Sequence, residues 1–199
     1  MTRFLLLRHG STDMLDHGIS GRAPGIHLNP RGEREARWLA DHLRARHLAA
    51  IYTSPLERTW QTAELVAAKL GLTPVANDAL LELHFGEWTG QTFEALSLDQ
   101  RWRDFNAFRC GTSIPGGELM LETQNRAVRL LLELREKHGD ATVALVTHGD
   151  VIKASLTYFL GMPLDFHVRL DIAPASCSEL ELGRDYVRVL RLNETAPEQ

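Results

Sequence analysis

Two of the nine histidines in this chain share a setting that the others lack. Leu5-Leu6-Leu7-Arg8-His9-Gly10 and Leu145-Val146-Thr147-His148-Gly149 are each a short apolar run that ends in His-Gly. Such a run reads as a buried strand that delivers its histidine to a loop. The glycine that follows lets backbone N–H groups approach a ligand closely. Open α/β sheets bind ligands beyond the carboxyl ends of their strands. Two such strands side by side would therefore bring His9 and His148 over one crevice. His17, His27, His42, His47, His138 and His167 read as surface or satisfied core residues, and His84 lies beside Glu82.

Two chemistries suit a pair of histidines. A metal site usually shows close ligand pairs such as His-x-x-x-His, and none falls on an expected helix here. The other chemistry is phosphoryl transfer, in which a neutral imidazole attacks phosphorus and nearby cations stabilise the equatorial oxygens. Arg8 adjoins His9, and Arg58 follows Thr53-Ser54-Pro55 at the expected end of a second strand. A planar guanidinium holds phosphate oxygens in bidentate fashion. A leaving alkoxide also needs a proton. Glu82 is the natural donor, because it sits in the irregular segment Leu81-Glu82-Leu83-His84-Phe85-Gly86-Glu87-Trp88. Burial near apolar rings would raise its pKa into the range of a general acid. Glu87 competes for the role but reads as a surface carboxylate.

The surrounding pattern supplies elements that could position these groups. Residues 4–7 read as the first strand and 10–28 as loop. Asn29-Pro30 gives an N-cap and first-turn proline for a helix burying Ala36, Leu39, Ala40 and Leu43. Residues 49–52 read as a strand. The helix after it buries Ala63, Val66, Ala67 and Leu70 and stops at Gly71. Residues 82–90 read as a structured loop, and a helix is expected over much of 92–108. Residues 109–117 read as loop, followed by a long helix to about residue 138. Residues 142–146 form the strand that leads to His148, and a helix follows from about 150. A closing hairpin is expected from 176–182 and 186–192, with a frayed tail at 193–199. Strands alternating with helices predict a three-layer α/β/α sandwich with a mainly parallel central sheet. The hairpin requires at least one antiparallel strand.

The 199 residues fit a single domain, 1–199, with a cap segment expected at 92–117. A hydrophobic fraction of 44% and a charged fraction of 24% are those of an ordinary globular chain. The net charge of −4 does not suggest a protein that binds nucleic acid through a basic face. The apolar run before Arg8 is too short for a signal-peptide core or a membrane span. Cys110 and Cys177 read as reduced thiols, so the expected location is cytoplasmic.

These segments resemble the histidine phosphatase (phosphoglycerate mutase-like) superfamily over most of the chain. Leu5-Leu6-Leu7-Arg8-His9-Gly10-Ser11-Thr12 is similar to the motif around that family's nucleophilic histidine. Ser54-Pro55-Leu56-Glu57-Arg58-Thr59 resembles its phosphate-binding arginine motif, and Glu82 to Gly90 the motif of its acid. Pro115-Gly116-Gly117-Glu118 resembles a segment of the phosphatase branch, and Thr147-His148-Gly149 matches the second histidine. The resemblance implies His9 as nucleophile, Arg8, Arg58 and His148 as the phosphate pocket, and Glu82 as proton donor. It implies Ser20, Gly21 and Gly149 as backbone contacts to the substrate, with no metal and no cofactor. Leu15, Gly25 and Leu119 depart from asparagine, aspartate and serine found in many relatives.

The expected activity is metal-independent hydrolysis of a small phosphomonoester, by a monomer or homodimer. The alternatives are a cofactor-dependent phosphoglycerate mutase and a phosphoprotein phosphatase. A mutase would need a longer, basic insertion before the second histidine, whereas Arg101, Arg103 and Arg109 are scattered and read as a solvated helix face. A non-catalytic relative would have lost one of the core residues. α-Ribazole phosphate, phosphosugars and phosphoglycerates all remain open as substrates.

Overall fold

Phe4 and Leu6 point to one side of the first strand, Leu5 and Leu7 to the other, and all four are buried. Both faces of the sheet are therefore covered, as expected where helices flank a largely parallel sheet. The computed structural model describes residues 1–196. Its elements run β1 (Thr2–Arg8), α1 (Pro30–His42), β2 (Leu48–Thr53), α2 (Glu57–Leu70), β3 (Pro74–Ala76), α3 (Phe93–Leu98), α4 (Gln100–Ala107), α5 (Met120–His138), β4 (Thr142–Thr147), α6 (Gly149–Phe159), β5 (Cys177–Leu182) and β6 (Val187–Glu194).

The six strands lie in the order β3-β2-β4-β1-β5-β6. β1 to β4 pair in parallel, while β5 runs antiparallel to β1 and β6 antiparallel to β5. Leu5 and Leu7 pack with Leu39 of α1, Leu43 just after it, and Ala63 and Val66 of α2. Phe4 and Leu6 pack with Leu130, Leu134, Ile152 and Leu156 from α5 and α6. The architecture is the expected three-layer sandwich with a mainly parallel sheet. Among the described residues, no helix is long and apolar enough to cross a membrane.

Local signals set most boundaries. The Asn29 side chain accepts the Gly32 N–H at 2.9 Å and starts α1, and Gly71, at φ +68°, closes α2. The helix expected over 92–108 is two helices. Asp99 ends α3 in an extended conformation and then caps α4 by accepting the Arg101 N–H at 2.8 Å. Asn193 and Glu194, expected in a frayed tail, belong to β6. The Asn193 side chain also accepts the Ala173 N–H at 2.6 Å. Residues 197–199 lie outside the described residues. Cys110 and Cys177 are both free thiols.

A third apolar cluster joins the segment that follows Glu82 to residues 92–117. Leu83, Phe85 and Trp88 pack with Leu96, Phe105 and Ile114. The Trp88 and Phe105 rings lie 5.5 Å apart.

Candidate active site

β1 and β4 are direct neighbours, with Arg8 opposite Thr147. The two histidines thus leave adjacent parallel strands at the same level, and the His9 N–H donates to Thr147 O at 3.1 Å. Their rings stand edge to face, 5.2 Å apart. The chain leaves His9 through Gly10, where a β-carbon would collide with the backbone carbonyl of Gly32 at the start of α1.

The His9 ring is buried, and its Nδ1 lies 2.7 Å from Gly10 O. A carbonyl can only accept, so Nδ1 carries the proton and Nε2 keeps its lone pair. Arg58 Nε donates to that Nε2 at 3.3 Å. Burial, followed by the charges of Arg58 and Arg8, holds the His9 pKa well below the usual histidine value. His9 is therefore a neutral imidazole at physiological pH.

Arg58 begins α2 and is almost wholly buried. Its Nη2 donates to Gly21 O at 2.7 Å and lies 3.3 Å from His148 Nδ1. His148 is fully buried, and its Nε2 is 2.9 Å from Ser54 Oγ. A guanidinium N–H can only donate, so His148 Nδ1 accepts from Arg58 and its Nε2–H donates to Ser54 Oγ. Arg8 Nη1 donates to Ile172 O at 2.6 Å. Arg8 Nε and Arg58 Nη1 are buried donors without a protein partner among the described residues. Such donors are costly unless a ligand accepts from them, and an anionic oxygen is the acceptor that suits them.

Glu82 sits in the irregular segment, with its side chain 13% exposed. Oε1 accepts the Leu83 N–H at 2.9 Å, and Oε2 lies 3.9 Å from His148 Nδ1. Burial raises its pKa from 4.5 to about 7, with a further push from the Asp150 charge. The Leu83 N–H, Arg58 and Arg8 oppose that rise. The carboxyl is half-protonated near neutrality, poised between acid and base.

Arg8, His9, Arg58 and Glu82 line one cavity of about 250 Å³, with Ser20 and Gly21 beside them. Leu15, Ile19, Phe85 and Phe93 add apolar wall. His148 stands behind Arg58. Gly149 stands behind Arg8, where an added β-carbon would meet the guanidinium at 3.6 Å. Glu87 is exposed and pairs with Arg101. Arg109 departs from the expected solvated helix face. It lies beyond the end of α4 with its side chain 11% exposed, stacked 4.6 Å from the Phe105 ring and 3.5 Å from Asp150.

Sequence reasoning did not single out Ser54, or Thr62, whose hydroxyl accepts the Gly10 N–H at 3.2 Å. Both lie in the stretch that carries Arg58, and that stretch was their only available signal.

The family model for the histidine phosphatase superfamily (branch 1) matches residues 4–195. The chain belongs to this superfamily. Phosphoserine phosphatase 1 of Hydrogenobacter thermophilus is 29% identical over 98% of this chain and 93% of its own length. The solved structure of Bacillus stearothermophilus YhfR superposes with a TM-score of 0.91 at 28% identity, covering 98% of each chain. A mycobacterial glucosyl-3-phosphoglycerate phosphatase, solved with VO3, gives a TM-score of 0.87 at 28% identity, covering 97% of this chain and 99% of that one. The protein is a phosphatase of the histidine type.

Proposed function

We propose that this phosphatase hydrolyses small phosphomonoesters without a metal, through a phosphohistidine formed on His9. The observation that carries this reading is the His9 ring itself. Its Nδ1–H is tied to Gly10 O, its neutral Nε2 lies beside Arg58 Nε, and the residue lines the cavity.

In the first step the Nε2 lone pair attacks phosphorus and the ester P–O bond breaks. Arg8 and Arg58 donate to the equatorial oxygens through the N–H groups that lack protein partners. His148 accepts from Arg58 Nη2 at Nδ1 and donates from Nε2 to Ser54 Oγ, which holds the Arg58 guanidinium beside the phosphate. Backbone groups of Ser20, Gly21 and Gly149 border the phosphate or support the arginines that hold it. Glu82 gives its proton to the leaving alkoxide. In the second step water attacks phosphorus, the P–N bond breaks, and the Glu82 carboxylate takes the proton from that water. Inorganic phosphate leaves, and His9 and protonated Glu82 are restored.

The cavity volume and the packing of residues 92–117 against Phe85 support a capped site for a small substrate rather than a protein surface. Two reduced thiols fit a cytoplasmic location. In this mechanism guanidinium groups supply all the positive charge. Hydrolysis of p-nitrophenyl phosphate should therefore survive excess EDTA. Loss of activity on chelation, restored by a divalent ion, would contradict the proposal.

A further inference from the structure

Arg22, Glu118 and Arg126 come from three separate parts of the chain and converge on the backbone of Glu82. Arg22 Nε donates to Glu82 O at 2.7 Å, and Arg126 Nη2 donates to the same oxygen at 3.3 Å. Both lone pairs of that carbonyl are thereby occupied. Glu118 joins the two guanidinium groups. Its Oε2 accepts from Arg22 Nη2 at 2.8 Å and from Arg126 Nη2 at 3.2 Å, and its Oε1 accepts from Arg126 Nε at 2.8 Å. Glu118 Oε2 also accepts the His84 N–H at 3.2 Å. Burial works against the Glu118 charge, but hydrogen bonding from Arg126 outweighs it and holds the carboxyl below its usual range.

The backbones of the two loops interlock as well. Glu118 N–H donates to His84 O and Glu87 N–H to Pro115 O, each at 2.9 Å. Gly86, at φ +48°, has no room for a β-carbon, which would strike the Pro115 carbonyl. At the other end, Arg22 follows Gly21, whose carbonyl holds Arg58. One short loop therefore grips the phosphate-binding arginine with one residue and the acid segment with the next.

We infer that Arg22, Glu118 and Arg126 are positioning residues that fix the Glu82 carboxyl at the height of the scissile ester oxygen. None of them reaches the Glu82 carboxyl or lines the cavity, so they act through Glu82 and touch no reacting atom. Partly buried ion pairs of this kind are weak evidence for stability. Their convergence on the backbone of one carboxylic acid is what assigns them a role, since misplacing a catalytic group by about 1 Å can cost ~10²-fold in rate. The inference rests on Glu82 being the proton donor.

The test compares leaving groups in the pre-steady-state burst, using Glu118→Gln and Arg22→Gln. Loosening the clamp should slow phosphorylation by an alkyl phosphate, whose leaving group needs the proton, by ~10–10²-fold. The p-nitrophenyl phosphate burst should change by less than about 3-fold, because p-nitrophenolate leaves without protonation. Inhibition by inorganic phosphate should be unchanged, which shows that the pocket is intact. If Glu118→Gln does not fold, Arg22→Gln answers alone, since it leaves the Arg126–Glu118 pair in place. Equal slowing of both substrates, or no slowing of the alkyl phosphate, overturns the inference. Glu82→Gln, run alongside, separates the two levels. If it shows the leaving-group contrast and the clamp variants do not, only the clamp fails. If it shows no contrast, the acid role falls and the clamp falls with it.

Discussion

Replacing Glu82 with glutamine should cost the protein activity and make it more stable in alkaline solution. The carboxyl titrates near 7 in the folded chain against an ordinary 4.5, chiefly because burial disfavours its charge. Below 4.5 both folded and unfolded chains hold the proton, and the site contributes no penalty. Between 4.5 and about 7 the unfolded chain gives up its proton while the folded chain keeps it, so stability falls as pH rises. Above about 7 the penalty is complete and constant. At about 1.4 kcal/mol per pKa unit, it amounts to roughly 3 kcal/mol. Glutamine has nearly the same shape, can still accept the Leu83 N–H, and carries no charge to desolvate. Urea denaturation of both proteins at pH 4.5 and pH 8 isolates the effect as a difference of differences. The variant should gain roughly 2–3 kcal/mol on the parent between the two pH values. A gap that does not change with pH, or one that shrinks toward pH 8, would refute the argument that Glu82 is held protonated by its surroundings.

The same titration should appear in catalysis. For an alkyl phosphate, kcat/KM should fall about tenfold per pH unit above the Glu82 pKa of about 7. The acid limb due to His9 should lie well below 6.5. A pH–rate profile of Glu82→Gln should lack the alkaline limb. Arg58→Lys keeps one charge but cannot reach His9, Gly21 and His148 together. Steady-state kinetics should show kcat lowered by ~10²–10³-fold. A loss below tenfold would mean that the fork geometry is not needed.

The site was legible where its residues are local to strand ends. Leu5 to Gly10 and Leu145 to Gly149 each state a strand, a histidine and a turn in a few letters, and parallel pairing of β1 with β4 does the rest. The sheet was legible in kind but not in full. β3 is three residues, Pro74–Ala76, and too short to show alternation. The place of β5 beside β1 is a long-range pairing that no window of sequence contains. The supports of the site were hidden for the same reason. Arg126 reaches Glu82 across 44 residues and Ser54 reaches His148 across 94. Each reads locally as an ordinary helix or turn residue. Arg109 misled in the opposite sense, because its polar neighbours suggested solvent while Phe105 and Asp150 enclose it.

The central claim is covalent, and it can be tested on one atom. A rapid acid-free quench of the enzyme with 32P-labelled p-nitrophenyl phosphate should trap label on His9, stable to alkali and lost in acid, at up to one phosphate per chain. His9→Ala should trap none and should not turn over. Label on another residue, or turnover by His9→Ala at the parental rate, would contradict the account.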